Sequence, residues 1–465
     1  MNFLGIDIGT TSLKAAVFNE KLEELSVTSV DYTLETKGVW AEFESEKYWD
    51  ITKEGIKKAA GSMKIDALSI DTQCETLILT DENGNPVRKA IVWVDNRAEE
   101  EAKIIEEHFG RKLGYEITGQ PEITATWPAA KLLWVKRNEP EVWAKVKKIF
   151  LLEDYILYKM TGEFVTEKTL QSSSFYFNVK TGDWWDEMLD FIGVKREQLP
   201  RLCDSCEKVG TYEGATVVTG AMDQVAGAIG AGIIKKGVIS EMTGTTMVLF
   251  VPTDEMPEYN PDSIIPCHYN FDGKYALLLW TSVAGMALKW FKNNFCEGMD
   301  FDDLNVIAEK IAPGCDGLTM LPHLCGSTMP KYNPDAKGAF YGIGLEHTRA
   351  HFARCIMESV ACMLKANLDY INIDTKEIRL MGGGAKSDLW NDIKANMTGK
   401  TLVTLKNKET ACLGSAILAA VGVGAFSSVE DACSLIKLDK KYEPRGVDYS
   451  EVYERYVKLD NLLNR

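Results

Sequence analysis

The chain has 465 residues, of which 45% are hydrophobic and 26% are charged; this composition is typical of a folded globular protein and excludes a disordered or fibrous one. Its length predicts two or three domains. The 68 acidic side chains outnumber the 52 basic ones and give a formal net charge of −16, which argues against nucleic acid and anionic lipid as partners because their phosphates would be repelled.

The first predicted element is a β-hairpin. Two apolar segments, residues 3–8 and 13–18, are separated by Gly9, Thr10 and Thr11, which suit a tight turn. In a Rossmann fold the corresponding glycine-rich turn leads into a helix instead. Further strands are predicted at 67–70, 91–94 and 216–218, and helices at 47–60, 98–109 and 128–136. This alternation of strands and helices indicates an α/β fold.

A second hairpin of the same kind is predicted at 239–251, where another Gly-Thr-Thr turn separates two apolar segments. The two turns lie about half a chain apart, which predicts a duplicated α/β architecture. We place the domains at 1–232 and 233–465. Farther along, helical spacing of apolar residues predicts an amphipathic helix at 350–371, and Ser427 with Glu430 predicts a capping box.

Both Gly-Thr-Thr turns have the composition of a phosphate-binding loop. Glycine lets backbone N–H groups approach phosphate oxygens, and threonine hydroxyls add hydrogen bonds without bulk. Asp7 precedes the first turn, where a carboxylate could hold Mg²⁺ or its water beside a nucleotide. A single turn is a weak sign, since any hairpin can use Gly and Thr. Two turns, with three glycines at 382–384 after the predicted strand 378–381, favour nucleotide binding over coincidence.

Two other groups of residues indicate metal or redox chemistry only weakly. Cys203 and Cys206 form a CxxC pair, but no second pair has matching spacing, so two loop thiols are the better interpretation. His347 and His351 are four residues apart but lack the glutamate of an HExxH motif. We interpret both pairs as structural.

The sequence also bears on location. The N-terminal segment carries Asp7 inside its only apolar stretch and has no basic leader, so we do not expect a signal peptide. No run reaches the roughly 18 apolar residues of a membrane span. The 11 cysteines are scattered along the chain, as in proteins that keep reduced thiols. We predict a cytoplasmic protein with no membrane partner.

Seven segments together resemble the FGGY family of carbohydrate kinases. They are GIDIGTTSLKAAVF, AIVWVDNRA, KLLWVKRN, GAMDQVAGAIGAG, EMTGTT, GAFYGIGLEHTRAHFARCIMESVA and MGGGAKSDLWNDIKANMTG. They occur in the family's order and approximate spacing, from residue 2 to about residue 424. The resemblance implies two actin-like (ribonuclease H-like) domains with a cleft between them. It implies ATP held mainly by the second domain and a sugar or polyol held mainly by the first.

The resemblance also implies roles for particular residues. Asp223 is expected to be the kinase carboxylate, although alone it could be a loop or helix-capping aspartate. The expected acceptor site consists of Gln73, Cys74, Glu75, Trp93, Asp223 and Gln224. The expected nucleotide site consists of Gly9, Thr10, Thr11, Lys14, Gly244, Thr245, Gly383, Gly384 and Ala385, with Mg²⁺ at Asp7. Trp93 could instead be a core residue, and Lys14 a solvated strand residue.

The acceptor segment departs from each well-known branch of the family. Glycerol kinases carry arginine where this chain has Cys74, so a fork of charged donors is lost. They also carry an aromatic residue where this chain has Thr126. Xylulokinases usually carry Met-His at Cys74-Glu75 and more often asparagine at Gln224. The motifs therefore give a mixed indication of specificity.

These residues predict an ATP-dependent and Mg²⁺-dependent kinase that phosphorylates a hydroxyl of a small neutral sugar or polyol. A ketopentose such as xylulose is the leading acceptor, and glycerol or another linear polyol is the alternative. An actin-like or chaperone-type ATPase is the alternative from another functional class. Trp93 and its segment, AIVWVDNRA, argue against this alternative. A non-catalytic sugar sensor is disfavoured because Asp223 and both turns are intact. The resemblance is compatible with a homodimer.

Overall fold

The computed structural model describes residues 1–464 and contains two large β-sheets with helices around them. In the first half of the chain, the strands are β1 (Asn2–Ile8), β2 (Ser12–Asn19), β3 (Glu24–Asp31), β4 (Glu35–Lys37), β5 (Trp40–Phe43), β6 (Ala67–Thr72), β7 (Leu77–Thr80), β8 (Ala90–Ile91), β9 (Lys148–Leu151), β10 (Val165–Glu167), β11 (Phe177–Asn178), β12 (Asp183–Trp184), β13 (Arg201–Cys203), β14 (Lys208–Tyr212) and β15 (Ala215–Val218). The helices are α1 (Ser45–Ala60), α2 (Glu99–Thr118), α3 (Pro128–Asn138), α4 (Pro140–Trp143), α5 (Leu152–Thr161), α6 (Lys168–Gln171), α7 (Asp186–Ile192) and α8 (Asp223–Gly230).

The second half supplies the strands β16 (Val238–Thr243), β17 (Met247–Thr253), β18 (Cys267–Tyr269), β19 (Tyr275–Thr281), β20 (Thr319–Leu321), β21 (Ala339–Tyr341), β22 (Glu377–Met381), β23 (Thr401–Leu405) and β24 (Leu438–Tyr442). Its helices are α9 (Gly285–Phe295), α10 (Phe301–Glu309), α11 (Arg349–Ile371), α12 (Asp388–Thr398), α13 (Thr410–Gly422), α14 (Val429–Cys433) and α15 (Ser450–Leu463).

The first large sheet has the order β14-β15-β6-β1-β2-β3. β1 and β2 form the predicted hairpin, with Asp7 opposite Lys14. β6 lies parallel to the other side of β1 and brings Asp71 beside Asp7. The apolar side chains of β1 are buried on both faces of the sheet, as expected for a strand covered on both sides.

The second large sheet repeats this arrangement, with the order β18-β19-β17-β16-β22-β23-β24. β16 and β17 form the second predicted hairpin, and β22 and β23 continue the sheet in parallel from β16. In each sheet an antiparallel hairpin therefore adjoins parallel strands. The predicted α/β class and its duplication are confirmed.

The helices α8 and α13 lie between the sheets in very close contact. A Cβ atom on Gly230 would overlap the carbonyl oxygen of Thr410, and one on Gly414 would overlap that of Ala226. A Cβ atom on Gly5 of β1 would overlap the carbonyl oxygen of Cys412. These positions accept only glycine because backbone meets backbone. Helix α13, from the second half of the sequence, thus covers the first sheet.

Several predicted boundaries are wrong by a few residues. The strand predicted at 91–94 ends at Ile91, and a turn follows it. The helix predicted at 98–109 continues to Thr118 across a kink at Gly110. Ser428, not Ser427, caps α14, and its Oγ accepts from the Asp431 backbone N–H at 3.1 Å. The reason is that Asp431, not Glu430, reaches back to this cap, accepting from the Ser427 hydroxyl at 3.0 Å.

The prediction of two loop thiols is wrong for Cys203, which is buried as the last residue of β13 because its side chain packs into the core, whereas Cys206 lies in the loop that follows. All 11 cysteines are free, including Cys203 and Cys206. His347 Nε2 lies 3.1 Å from the carbonyl oxygen of Cys315, and His351 Nε2 lies 3.2 Å from Asp316 Oδ2. Among residues 1–464, no helix has the length and apolar character needed to cross a membrane.

Candidate functional site

A cavity of about 470 Å³ lies between the two halves of the chain. The first half contributes residues that follow β1 and β6, the loop after β8, and the N-terminus of α8. The second half contributes residues of β16, β17, β18, β19 and β22 and the N-terminus of α13. The cavity wall includes the predicted residues Asp7, Gly9, Thr10, Gln73, Cys74, Glu75, Trp93, Asp223 and Gln224. Residues far apart in the sequence therefore share one site.

Asp223 is the first residue of α8 and lines this cavity. Its Oδ1 accepts the backbone N–H of Gln224 at 2.6 Å and lies 3.6 Å from the Cys74 thiol, which donates to it. Burial raises the pKa of Asp223 to about 6. The group is therefore largely ionised at neutral pH yet more basic than a solvated aspartate, which suits a general base.

Two further carboxyl groups lie close to Asp223. Burial, together with the charge of Asp223, raises the pKa of Asp7 to about 7. Burial and the charge of Asp7 also raise the pKa of Asp71 well above its usual value. Asp71 Oδ2 accepts from the Ser415 hydroxyl at 2.6 Å, and the Asp71 and Asp7 carboxyl groups are also within hydrogen-bonding reach of each other. The cluster would gain stability from a cation, since like charges crowd there.

Glu75 lies in the turn between β6 and β7, where its φ of 55° places it in the left-handed region. Burial raises its pKa to about 8; the nearby charge of Lys131 opposes this shift, and that of Asp223 adds to it. Lys131 is fully buried in α3, and burial lowers its pKa to about 7. Its Nζ donates to the carbonyl oxygens of Glu75, Val92 and Trp93 at 3.2, 3.0 and 3.3 Å. Lys131 thus ties together the two predicted acceptor loops.

Trp93 is 36% exposed, so it is not a core residue. Its indole Nε1 donates to Thr10 Oγ1 at 2.8 Å, which links the predicted acceptor loop to the first Gly-Thr-Thr turn. Gln73 is buried, and its Nε2 donates to the hydroxyl of Tyr48 at 3.0 Å. Its Oε1 has no partner in the described residues, so this oxygen is the free polar atom of Gln73.

A second cavity, of about 380 Å³, lies in the second half of the chain. The predicted residues Gly244, Thr245, Gly383 and Gly384 line it. Its other walls include apolar side chains of α9, α10 and α12, namely Met286, Leu288, Phe301 and Trp390. Such a pocket combines a flat apolar surface with a small polar turn, a combination that suits a nucleoside with its phosphates.

Three predicted nucleotide residues lie outside both cavities. Lys14 Nζ forms an ion pair with Glu409 Oε2 at 2.6 Å. The Ala385 carbonyl oxygen accepts from Asn391 Nδ2 at 2.9 Å, and that of Thr11 accepts from the Tyr32 backbone N–H at 2.9 Å. Their roles in nucleotide binding stay predictions.

A buried ion pair lies beneath the second Gly-Thr-Thr turn. Lys394 Nζ is 2.9 Å from Glu241 Oε2, and neither side chain is accessible to solvent. Lys394 also donates to Thr243 Oγ1 at 3.0 Å, and the Thr243 hydroxyl donates to Glu241. Because Gly244 follows Thr243, this three-residue network fixes the start of the turn.

Sequence reasoning missed Asp71, Lys131 and Lys394. A usable signal exists for Asp71, which is the one charged residue of the mainly apolar strand β6, and for Lys131, which lies among apolar residues in the first two turns of α3. Such residues are rarely buried unless they are paired. Lys394 has no such signal, because α12 contains several other polar residues. Among the described residues, no group of three or more His, Cys, Asp or Glu side chains is arranged to hold a metal ion alone. Any cation at Asp7 and Asp71 would need further ligands, such as phosphate oxygens.

Comparison with known proteins extends this picture. The N-terminal domain of the FGGY family of carbohydrate kinases matches residues 2–232, and its C-terminal domain matches residues 241–423. A xylulose kinase of Staphylococcus epidermidis is 30% identical over 98% of this chain and 95% of its own length. A gluconokinase of Bacillus subtilis is 28% identical over 99% of this chain and 96% of its own. A crystal structure of Plasmodium falciparum glycerol kinase with ADP shares the fold, with a TM-score of 0.91 at 23% identity over 100% of this chain and 98% of its own.

Proposed function

The chain belongs to the FGGY family of carbohydrate kinases, and from that membership we propose the acceptor and the roles of the site residues. The protein is an ATP-dependent sugar kinase with two actin-like domains and a cleft between them. We propose that the acceptor is a small neutral sugar or polyol, with a ketopentose such as xylulose as the leading candidate. Because the chain belongs to a family of carbohydrate kinases, we reject the alternative of an actin-like or chaperone-type ATPase.

The position of Asp223 supports this proposal most directly. It is a largely ionised carboxylate with a raised pKa, it lies at the start of a helix, and it lines the cavity between the halves. In the proposed mechanism Asp223 orients the acceptor hydroxyl and accepts its proton as the phosphoryl group is transferred. Glu75 and Gln73 would hold the remaining hydroxyl groups, and Trp93, whose indole N–H is engaged by Thr10, would contact the acceptor through its ring.

The nucleotide would lie between the two turns. The second cavity suits the adenosine, and the turns at Gly9 and Gly244 supply small residues for the phosphates. Asp7 fits a Mg²⁺ site, because it lines the cavity and a cation would relieve the crowding of its charge with those of Asp71 and Asp223. When bound, Mg²⁺ neutralises charge on the phosphate oxygens. Closure of the cleft would exclude water from the γ-phosphate.

A screen of ADP release tests the acceptor class. Xylulose, ribulose, glycerol, erythritol and gluconate are each added to the purified enzyme with ATP and Mg²⁺. We expect acceptor-dependent ADP release that is fastest with a ketopentose. Both a xylulose kinase and a gluconokinase are similar to this chain, so gluconate is the decisive competitor. A preference for gluconate would refute the neutral acceptor.

The charge of Glu75 makes a pH-dependent prediction about the same competitor. Because the pKa of Glu75 is about 8, this carboxyl is mostly neutral at pH 6 and negative at pH 9. The negative form would repel a sugar acid but not a neutral sugar. We expect the ratio of kcat/KM for the neutral acceptor to kcat/KM for gluconate to rise on the order of tenfold over this range, since nearby like charges repel by more than about 1 kcal/mol.

The ratio removes the requirement for ionised Asp223 as the base, which both acceptors share. Glu75→Gln is the matched control, because it keeps the shape of the side chain without its charge. In that variant the ratio should rise less than in wild type, and the remaining rise reflects the titration of Asp223, Asp7 and Lys131. An equal rise in both proteins would show that Glu75 is not the group responsible.

Three further expectations stay predictions: a domain boundary between residues 232 and 233, a cytoplasmic location, and a homodimer. The requirement for Mg²⁺ is likewise a proposal, and removal of the metal with a chelator should abolish turnover.

A further inference from the structure

His268 lines the cavity but has no part in the mechanism above. It lies on β18, in the second half of the chain, and is 4% exposed. The preceding residue, Cys267, donates its backbone N–H to the carbonyl oxygen of Gly119 at 2.8 Å. The ring of His268 contacts Ser172, which also belongs to the first half. Both halves therefore fix the position of this imidazole.

The hydrogen bonds of Ser172 determine which ring nitrogen of His268 carries the proton. Ser172 Oγ lies 2.6 Å from the carbonyl oxygen of Thr169. A carbonyl oxygen can only accept, so the single hydroxyl proton of Ser172 points to Thr169. Ser172 Oγ also lies 3.2 Å from His268 Nδ1, and with its proton engaged it can only accept there. His268 Nδ1 therefore carries hydrogen.

The other ring nitrogen of His268 is free. Nε2 has no hydrogen-bond partner among the described residues, and His268 is one of the residues that line the cavity. Burial lowers the pKa of His268 to about 4, so the ring is neutral at physiological pH. With the proton on Nδ1, Nε2 carries a lone pair and can only accept.

We propose that His268 is a specificity-determining residue whose Nε2 accepts a hydrogen bond from a hydroxyl group of the carbohydrate. This inference rests on the proposed function and adds to it, because it assigns part of acceptor recognition to the second half of the chain. The acceptor would then be bound by both halves, rather than mainly by the first.

The chemistry of this contact favours a hydroxyl over a carboxylate. A hydroxyl group can donate to the lone pair of Nε2, whereas a carboxylate is an acceptor only. Placing a carboxylate against Nε2 would bring two acceptors together and leave both unpaired. A site built to pair with a hydroxyl discriminates strongly against analogues that lack it. His268, together with Glu75 in its ionised form, would therefore act against a sugar acid.

Two variants distinguish the contribution of Nδ1 of His268 from that of Nε2. His268→Asn keeps a donor near the position of Nδ1 and loses the acceptor at Nε2, whereas His268→Gln can place an amide oxygen near Nε2. We expect His268→Asn to lower kcat/KM for the preferred acceptor by about 5- to 100-fold, the range for a buried polar group that loses its partner. The KM for ATP should change less than twofold, and His268→Gln should lose less than His268→Asn.

Analogues of the preferred acceptor that each lack one hydroxyl group identify the hydroxyl that Nε2 of His268 contacts. One of them should be a poorer substrate than the parent sugar for the wild type but not for His268→Asn, since the variant has already lost that hydrogen bond. Thermal unfolding of each variant shows that it is folded. Ser172→Ala, which removes the acceptor for Nδ1–H, should lower acceptor kcat/KM in the same direction, and it provides the test if the His268 variants do not fold.

The proposal is overturned if His268→Asn and His268→Gln lose acceptor kcat/KM equally. It is also overturned if the loss of kcat/KM on removal of a hydroxyl group from the sugar is the same for wild type and His268→Asn at every position. If Ser172→Ala is the only folded variant, a kcat/KM equal to that of wild type overturns the proposal. The proposed function fails separately: in that case wild type releases no ADP in response to any neutral sugar or polyol.

Discussion

Asp223→Asn should lower kcat by about 10²- to 10⁴-fold, the usual consequence of losing a general base. The substitution keeps the size of the side chain and its oxygen acceptor, but the amide cannot take the proton of the acceptor hydroxyl. ATP should bind nearly as well as to wild type, because the second cavity does not include Asp223. Steady-state ADP release and a direct nucleotide titration measure the two effects.

Asp186→Asn provides a matched control. Asp186 is also the first residue of a helix, α7, but it lies on the surface and pairs with Arg196 at 2.6 Å. The same chemical change at this position should leave turnover close to that of wild type. Asp223→Asn with more than about a tenth of wild-type turnover would remove Asp223 from the role of base.

Lys394→Met should lower the free energy of unfolding by about 3 to 5 kcal/mol, because removal of one partner leaves a buried charge without compensation. The stranded group is Glu241, whose side chain is inaccessible to solvent. The Thr243 hydroxyl also loses the Lys394 donor, so the start of the Gly244 turn should shift. We therefore expect a raised KM for ATP together with the loss of stability, measured by urea denaturation and by ADP release.

A second lysine distinguishes this effect from loss of a charge in general. Lys440 pairs with Asp388 at 2.7 Å, but both side chains are more than half exposed. Lys440→Met should therefore cost less than about 1 kcal/mol, as exposed ion pairs usually do. Equal stability of Lys394→Met and Lys440→Met would show that the buried pair contributes no more than a surface pair.

Local patterns in the sequence predicted the elements that hold the turns. Both hairpins follow from Gly-Thr-Thr between apolar segments, and both exist as β1–β2 and β16–β17. The segments at Gln73 to Glu75, Trp93 and Asp223 lie around one cavity, as the resemblance implied. These features were predictable because each depends on a short run of residues.

Features that depend on pairing between distant residues were not predictable in the same way. Asp71 meets Asp7 only through the register of β1 and β6. Lys14 forms an ion pair with Glu409, from the other half of the chain, and no local sequence pattern predicts this pair. His268 reaches the cavity because β18 docks against Gly119. In each case the partner is fixed by tertiary packing, which a single sequence does not reveal.

The cover that α13 gives to the first sheet has a consequence for synthesis on the ribosome. Phe3, Ala67 and Leu413 share one apolar cluster, yet α13 leaves the ribosome long after β1 and β6. Roughly 190 residues lie between the end of the first half and the end of α13. Translation proceeds at about 5 to 20 residues per second, so synthesis of this stretch takes about 10 to 40 s. During that interval one face of the nascent sheet has no permanent cover. The first half therefore completes its packing only when the chain is almost finished, and until then chaperones have an apolar surface to bind.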